Sequence, residues 1–426
     1  MSLTLPLEGI RVLELTTAWA GPFAGRLLAD LGADVIKVES RRRLDVRGPA
    51  IAPPPGVGSY PDGDPGTEPW NRSARFHERN RNKRGLALEL NHPRGKDVFL
   101  RLVTHADVVV ENFAPRVLPQ LGLGYEQLRE VQPRLVMVSL SGFGQSGPER
   151  DYVAYGPTVE QVSGLASLLG YRDGTPTSSG LFLPDVLGGT LAAGLVMSAL
   201  RGREATGEGV YIDLAEIEVM RWLMGHLVIA AQAGRPSASE RLGNRHPEFV
   251  PHGTFRCVED DHWVAIAVRS DEEWAALAEA MGQPGLATQF PNAEARHAAI
   301  DEVEAAVAMW VSTLDQQVAV DRLNRAGIPA LPVATIDQVA NSPQAQARQI
   351  FSPHPIPGTH PRPVSGGLWV RDGHRAGVRS SAPGLGEHNV EILRDIAGIS
   401  DAEVEELVAA GVVGTLPAEL EPPRSA

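Results

Sequence analysis

The sequence predicts an α/β protein, with a large domain built on a parallel sheet and a smaller α+β domain. Three observations carry that expectation. The first 40 residues read as strand, helix, strand, a βαβ unit that requires parallel strands and a right-handed crossover. Strand and helix patterns then alternate over the first 150 residues, as they do when helices cover a mostly parallel sheet. Past residue 245 the pattern changes to short strands followed by amphipathic helices.

The elements follow in order. IRVLEL (10–15) has the β-branched and apolar bias of a strand. TTAWAGP is a loop, with Pro22 suited to the first turn of the helix FAGRLLADLG, which stops at Gly32. ADVIKVES is the second strand. Six prolines and four glycines between 51 and 70 make 44–70 a long surface excursion, and such loops often serve as lids or linkers. GLALEL (85–90), ADVVVENF (106–113) and RLVMVSLSGFG (134–144) are strands, with a helix over 96–104. A long helical region is expected from Val186 to about Gly234, then strands and turns over 246–268. EEWAALAEAM and EVEAAVAMWVSTL carry the i, i+3, i+4 apolar spacing of helices. A Pro/Gly/His-rich stretch (351–367) leads to a C-terminal helical region. The domains expected are 1–205 with 350–426 returning to it, a helical linker over 206–244, and a small domain over 245–340.

Composition narrows the function. The chain has 426 residues, 43% apolar and 21% charged, with net charge −13, which argues against nucleic-acid binding. A single cysteine, Cys257, excludes an internal disulfide and a Cys-based metal cluster. Twelve histidines are scattered without an H-E-x-x-H pattern, so no metal site is expected. The N-terminus lacks the form of a signal peptide and no uncharged apolar run reaches the ~18 residues of a membrane span. The expectation is a cytoplasmic protein without membrane attachment.

GFGQSG (142–147) fits G-x-G-x-x-G but follows a late strand and runs into Pro148, where a dinucleotide fingerprint would open the first βα unit. No P-loop and no G-x-S-x-G elbow is present. NRSARFHERNRNKR (71–84) holds six Lys/Arg against one Glu. With Arg41, Arg42 and Arg43 it is either a basic rim for a polyphosphate or a face of intramolecular ion pairs. LFLPDVLGGTLAAG (181–194) isolates one carboxylate: Asp185 is the sole charge between Gly174 and Leu200. Asp is a favoured N-cap, and the helix dipole and backbone N–H groups there hold a carboxylate charged. Gly188 and Gly189 would let a ligand approach the backbone. An ionised Asp in an apolar pocket is also a reasonable covalent nucleophile.

In order, LTTAWAGPFAGRLLADLGADVIKVE, NRNKRGLALEL, ADVVVENFAP, LGLGYEQL, SLSGFGQSGP, LPDVLGGTLAAG, TGEGVYIDLAEIE, GIPALPV and APGLGEHN resemble the class III CoA-transferases over nearly the whole chain. The resemblance implies a Rossmann-like large domain plus a small domain, two chains interlocked as a homodimer, and no permanently bound cofactor, coenzyme A and its thioesters being substrates. It places the nucleophile at Asp185. It sets Trp19 and Ala20 against the catalytic end of CoA, Leu88 to Asn91 along the adenine, Asn112, Phe113 and Ala114 along pantetheine, and Tyr155 near the nucleophile. Compared with formyl-CoA transferase, Trp19 replaces a glutamine, which suggests a more apolar pocket. Ser40 and Gln120 stand in place of arginines that Arg41 and Arg116 would replace. GNRHPEFVPHG (243–253) stands where that enzyme has a glycine-rich lid. α-Methylacyl-CoA racemases share the fold, with a His-Asp pair where this chain has Tyr155 and Gly156; racemase activity, or acyl-CoA binding without catalysis, is the alternative.

Overall fold

Apolar strands and the loops between them set the architecture. The computed structural model describes residues 5–421 apart from 55, 235–239, 355, 357–361 and 376; parts of the linker and of the Pro/Gly/His-rich stretch therefore lie outside the described residues. In chain order come β1 (Arg11–Leu15), α1 (Ala20–Asp30), β2 (Asp34–Glu39), α2 (Ala74–Asn80), β3 (Arg84–Ala87), α3 (Pro93–Val103), β4 (Val108–Glu111), α4 (Val117–Leu121), α5 (Tyr125–Val131), β5 (Val136–Ser141) and α6 (Gly156–Ser163). A short α7 (Leu165–Leu168) precedes α8 (Leu183–Thr206), β6 (Val210–Ala215) and α9 (Glu216–Leu223).

Strands β1 to β6 form one parallel sheet in the order β3-β2-β1-β4-β5-β6. This is the order of doubly wound sheets, in which ligands bind beyond the carboxyl ends of the strands where the order reverses. Here that point lies between β1 and β4. Burial on both faces explains the continuous apolar runs: every residue of β4 and β5 is buried. On one face Leu13, Ile36, Leu86 and Val109 pack with Phe99 and with Ile392 and Leu407 of two C-terminal helices. On the other, Val12, Val110 and Val138 pack with Leu28 of α1 and Val196 of α8.

The chain forms two compact units. One comprises the residues up to Ser163, Gly180–Leu223 and those from Pro343 on; the other comprises Gly164–Ser179 and Met224–Ser342. The second unit holds α10 (Gly225–Gln232), an antiparallel sheet β7 (His252–Arg256), β8 (Trp263–Ala267), β9 (Ala330–Pro332), and helices between β8 and β9 that bury Trp274, Leu277, Val307 and Leu323 against it.

One expectation needs correction. The helical region from Val186 to Gly234, and with it the all-helical linker 206–244, is interrupted by β6. Gly207 ends α8 at φ 77°, and Gly209 lies so close to the Leu135 backbone that a Cβ there would clash. The glycines of TGEG thus turn the chain alongside β5. Within α8 an 18-residue window reaches a mean hydropathy of 1.5, enough by length and composition to cross a membrane. The helix packs on α1: a Cβ at Gly189 would lie 2.5 Å from the Ala20 carbonyl oxygen.

Candidate active site

The loop after β1 is built from beneath. Glu14, fully buried on β1, pairs with Lys83 (2.6 Å) and Lys37 (3.2 Å) and accepts the Thr16 hydroxyl (2.7 Å). Burial pushes the Glu14 carboxyl up, but the two ammonium groups more than offset this and hold it below its usual range. Burial lowers Lys83 to about 8. Lys37 also donates to the Thr16 carbonyl (2.8 Å) and Lys83 to the Pro22 carbonyl (2.9 Å). From across the switch point, Asn112 closes two hydrogen bonds on Thr17: it accepts the Thr17 N–H (2.8 Å) and donates to the Thr17 carbonyl (2.9 Å). Asp45, at the start of the 44–70 excursion, accepts the Ala18 N–H (2.9 Å). Ala18 sits at φ 60°, a left-handed conformation that costs a non-glycine residue energy and needs such support.

This loop delivers the Ala20 N–H to the Asp185 carboxylate. Asp185 is 7% exposed. Oδ2 is buried and has no hydrogen-bond partner. Burial pushes its pKa up to about 6, against the pull of the Ala20 N–H, its own N–H and the Arg79 charge. Desolvation therefore outweighs the helix terminus that was expected to keep the group fully charged. Nor is Asp185 the cap: Phe182 is the N-cap of α8, at φ 51° with no side-chain cap bond, and Asp185 lies in the first turn, after Pro184. Gly188 and Gly189 do not open a path for ligand either. A Cβ at 188 would meet Glu216 Cγ and Leu140 at 3.3 Å, so these glycines seat α8 on α9, β5 and α1.

The glycine that faces the Asp185 carboxylate is Gly156, at the start of α6. A Cβ there would overlap Oδ2 of Asp185, with Phe182 Cβ at 3.5 Å. Phe182 also packs at a tilt against Trp19, ring centroids 5.2 Å apart and planes 42° from parallel, and the Arg79 guanidinium lies over the same indole at 4.0 Å. The indole N–H of Trp19 and Nε of Arg79 are buried without partners. Glu216, 7% exposed beside Gly188, is pushed up to about 8 by burial and then by the Asp185 charge. Near neutral pH the site thus holds one mostly ionised carboxylate and one protonated carboxyl. Among the described residues no cluster of three or more His, Cys, Asp or Glu is placed to hold a metal.

The profile of CoA-transferase family III matches residues 7–389. The chain belongs to this family. It is 35% identical to the succinyl-CoA–L-malate CoA-transferase beta subunit of Chloroflexus aurantiacus, over 96% of this chain and 98% of that one. It is 35% identical to the succinyl-CoA–D-citramalate CoA-transferase of the same organism, over 96% and 98%. A solved CAIB/BAIF family protein from Brucella suis superposes with a TM-score of 0.81 at 30% identity, covering 92% of this chain and all of that one. The protein is a CoA-transferase by family.

Within this CoA-transferase, the structure gathers Trp19, Ala20 and Asp185 with the backbone at Tyr155 and Gly156; the Tyr155 ring is exposed. Asn112 joins them through Thr17, and Phe113 and Ala114 continue from it at the end of β4. Glu111 just before them is pushed up to about 7 by burial, while accepting the Phe113 N–H (2.8 Å). Leu88 and Arg41 belong to another neighbourhood. Leu88 is buried and bridges Val413. Arg41 is buried; its N–H reaches Glu89 (2.9 Å), and its guanidinium pairs with Glu421 and donates to the Gly411 carbonyl (2.9 Å). Asn91 is exposed beyond β3, and Arg116 is exposed before α4. The basic stretch resolves largely into ion pairs: Arg81 with Asp30 (2.7 Å), Lys83 with Glu14, Arg84 with Asp34 (2.5 Å). GFGQSG is a loop tied to β6, the Gln145 N–H donating to Asp213 (3.0 Å).

Proposed function

We propose that this CoA-transferase moves coenzyme A from an acyl-CoA donor to a free carboxylic acid with Asp185 as the covalent carrier. The observation that carries this reading is the buried, unpartnered Oδ2 of Asp185 facing a residue without a side chain. An acceptor atom left unpaired in a dry site costs free energy, and a reacting carbonyl is a partner that would repay it. Oδ2 attacks the thioester carbonyl, the C–S bond breaks, and a mixed anhydride and CoA thiolate result. The thiolate attacks the aspartyl carbonyl, releasing the donor acid as its carboxylate and leaving an aspartyl-CoA thioester. The acceptor carboxylate attacks that thioester and expels the thiolate. The thiolate then attacks the acceptor acyl carbon, giving the new CoA ester and restoring the Asp185 carboxylate. No net proton is consumed. The Ala20 N–H, which already points at the carboxylate, is positioned to donate to an oxyanion formed there. Closing the pocket with Trp19 and Phe182 keeps water from the anhydride.

Leu88 to Asn91 would line the adenine, and Asn112, Phe113 and Ala114 the pantetheine arm. Arg41 is committed to the C-terminal segment, so exposed Arg42 and Arg43 are the better candidates for phosphate contacts at that end, with Arg116 nearer the arm. Trp222 and Ile229, 83% and 68% exposed, are apolar surface that a second copy in an interlocked homodimer would cover; light scattering tests this.

Incubation with an acyl-CoA followed by hydroxylamine, then mass spectrometry, tests the carrier. A hydroxamate at Asp185 is expected, and its absence during measurable CoA transfer rejects the mechanism. Glu216 supports one second reading, α-proton exchange by an Asp185–Glu216 pair. Solvent deuterium entering the acyl α-position without CoA transfer would select it.

A further inference from the structure

Eight Lys and Arg side chains are buried among the described residues: Arg26, Lys37, Arg41, Arg47, Arg79, Arg81, Lys83 and Arg296. Seven have a carboxylate within ion-pair distance, namely Glu78, Glu14, Glu421, Glu39, Asp30, Glu14 and Asp271 in that order. Arg79, only 8% exposed, has none. Its Nη1 donates to the Ala18 carbonyl (3.0 Å), its plane rests on the Trp19 indole at 4.0 Å, and its Nε is buried without a partner. Glu78, Asp45 and Asp185 lie within electrostatic reach, but none is at ion-pair distance; Glu78 pairs with Arg26 and Asp45 accepts the Ala18 N–H with both oxygens. A buried cation without a direct ion pair is expensive, and a guanidinium fixed by stacking presents its free edge to a planar oxyanion.

The position says which anion. Ala18 holds Arg79 and Ala20 holds Asp185, and two residues of chain span at most ~7 Å. Arg79 is therefore at the reacting end of the substrate, with the pantetheine arm separating it from the phosphates of CoA. The reacting carboxyl is a poor permanent partner, since it is neutral as thioester and anhydride. A second carboxylate on the acyl group stays charged through every step.

Resting on the reading of Asp185 as the carrier, we propose that Arg79 binds this second carboxylate, so that the enzyme works on dicarboxylic acids and their mono-CoA thioesters. Trp19 is then not an apolar wall but the platform that orients the guanidinium, and its own N–H is a second donor to the same group.

The test compares succinyl-CoA with butyryl-CoA, which has the same chain length without the distal carboxylate. Binding is measured by calorimetry on the full-length Asp185→Ala protein, which cannot turn over. A preference for succinyl-CoA of roughly 10- to 100-fold is expected, the worth of one charge-assisted hydrogen-bonded pair. Adding Arg79→Gln, which keeps a donor for the Ala18 carbonyl but loses the charge, should bring the ratio within about threefold; Arg79→Lys should retain much of it. Equal affinities before the second substitution, an unchanged ratio after it, or no binding of either thioester overturns the proposal. Hydroxylamine trapping on the wild type reads the carrier separately: no adduct with the binding ratio intact removes the Asp185 mechanism and leaves Arg79 standing.

Discussion

Gly156 and Asp185 are fitted to each other. A Cβ on residue 156 would overlap Oδ2 and lie 3.0 Å from Cγ, so the carboxylate holds its orientation only because position 156 has no side chain. Gly156→Ala should push the carboxylate off the Ala20 N–H. The clash is with the tip of a side chain, which can rotate, so the fold should survive. The expected result is a loss of at least ~100-fold in adduct formation, in line with misplacing a reacting group, with a melting temperature within a few degrees of wild type. Adduct formation near the wild-type rate would show that the close fit is unimportant.

The protonation of Asp185 gives the reaction a pH signature. In the proposed mechanism the attacking form is the carboxylate, and burial raises its pKa to about 6. Single-turnover adduct formation should therefore rise with pH through a midpoint near 6, two units above an ordinary Asp. Arg79 pulls this pKa down through its charge. Arg79→Gln should move the midpoint upward, and a downward move would contradict the electrostatics described above.

Much of the frame was legible in the sequence, and the particular residues missed share a cause. β1, β2, β4 and β5 are near-continuous apolar runs because both faces of the sheet are covered, and such runs stand out. β6 did not, because it is an edge strand whose first four residues are all exposed or partly exposed, so its pattern merges with the helices on either side. Asp185 was visible as an isolated charge. Its partners were not. Gly156 acts through what it lacks, Phe182 is one apolar residue in an apolar run, and Glu216 reads as an ordinary helix-starting acid. Arg79 lies among five other cations in 71–84, most of them bound in ion pairs. Only the placing of carboxylates around each cation distinguishes it, and that is a three-dimensional fact.

Glu216 should make stability depend on pH in the opposite sense to a salt-bridged acid. Its folded pKa is about 8 against an ordinary 4.5. Between those values the unfolded chain has released a proton that the native state still holds, so the native state loses ground as pH rises, and above 8 the penalty is complete. The full cost is on the order of a few kcal/mol. Glu216→Gln removes it. The variant should be more stable than wild type at pH 9, with the difference shrinking toward pH 5. Urea midpoints at the two pH values measure this, and an equal or larger difference at pH 5 would reject it.

Asn112 is the link most exposed to a single change, because it ties β4 to the β1 loop with its one amide. It accepts from Thr17 at 2.8 Å and donates back at 2.9 Å. Asn112→Ala leaves a donor and an acceptor of Thr17 unpaired in a position that is largely exposed, so water can replace the partners and the stability cost should be about 1 kcal/mol. The effect on the site should be larger. Thr17 leads directly to Ala18, which holds Arg79, and to Ala20, which holds Asp185. Loosening it lets both groups drift from their common geometry. Adduct formation should fall ~10- to 100-fold while the melting temperature changes little. Asn112→Asp keeps the acceptor and should retain the Thr17 N–H bond, but it sets a carboxylate against the Thr17 carbonyl. It should therefore be no better than alanine. Recovery of wild-type adduct formation in the Asp variant would mean that only the bond to the Thr17 N–H matters.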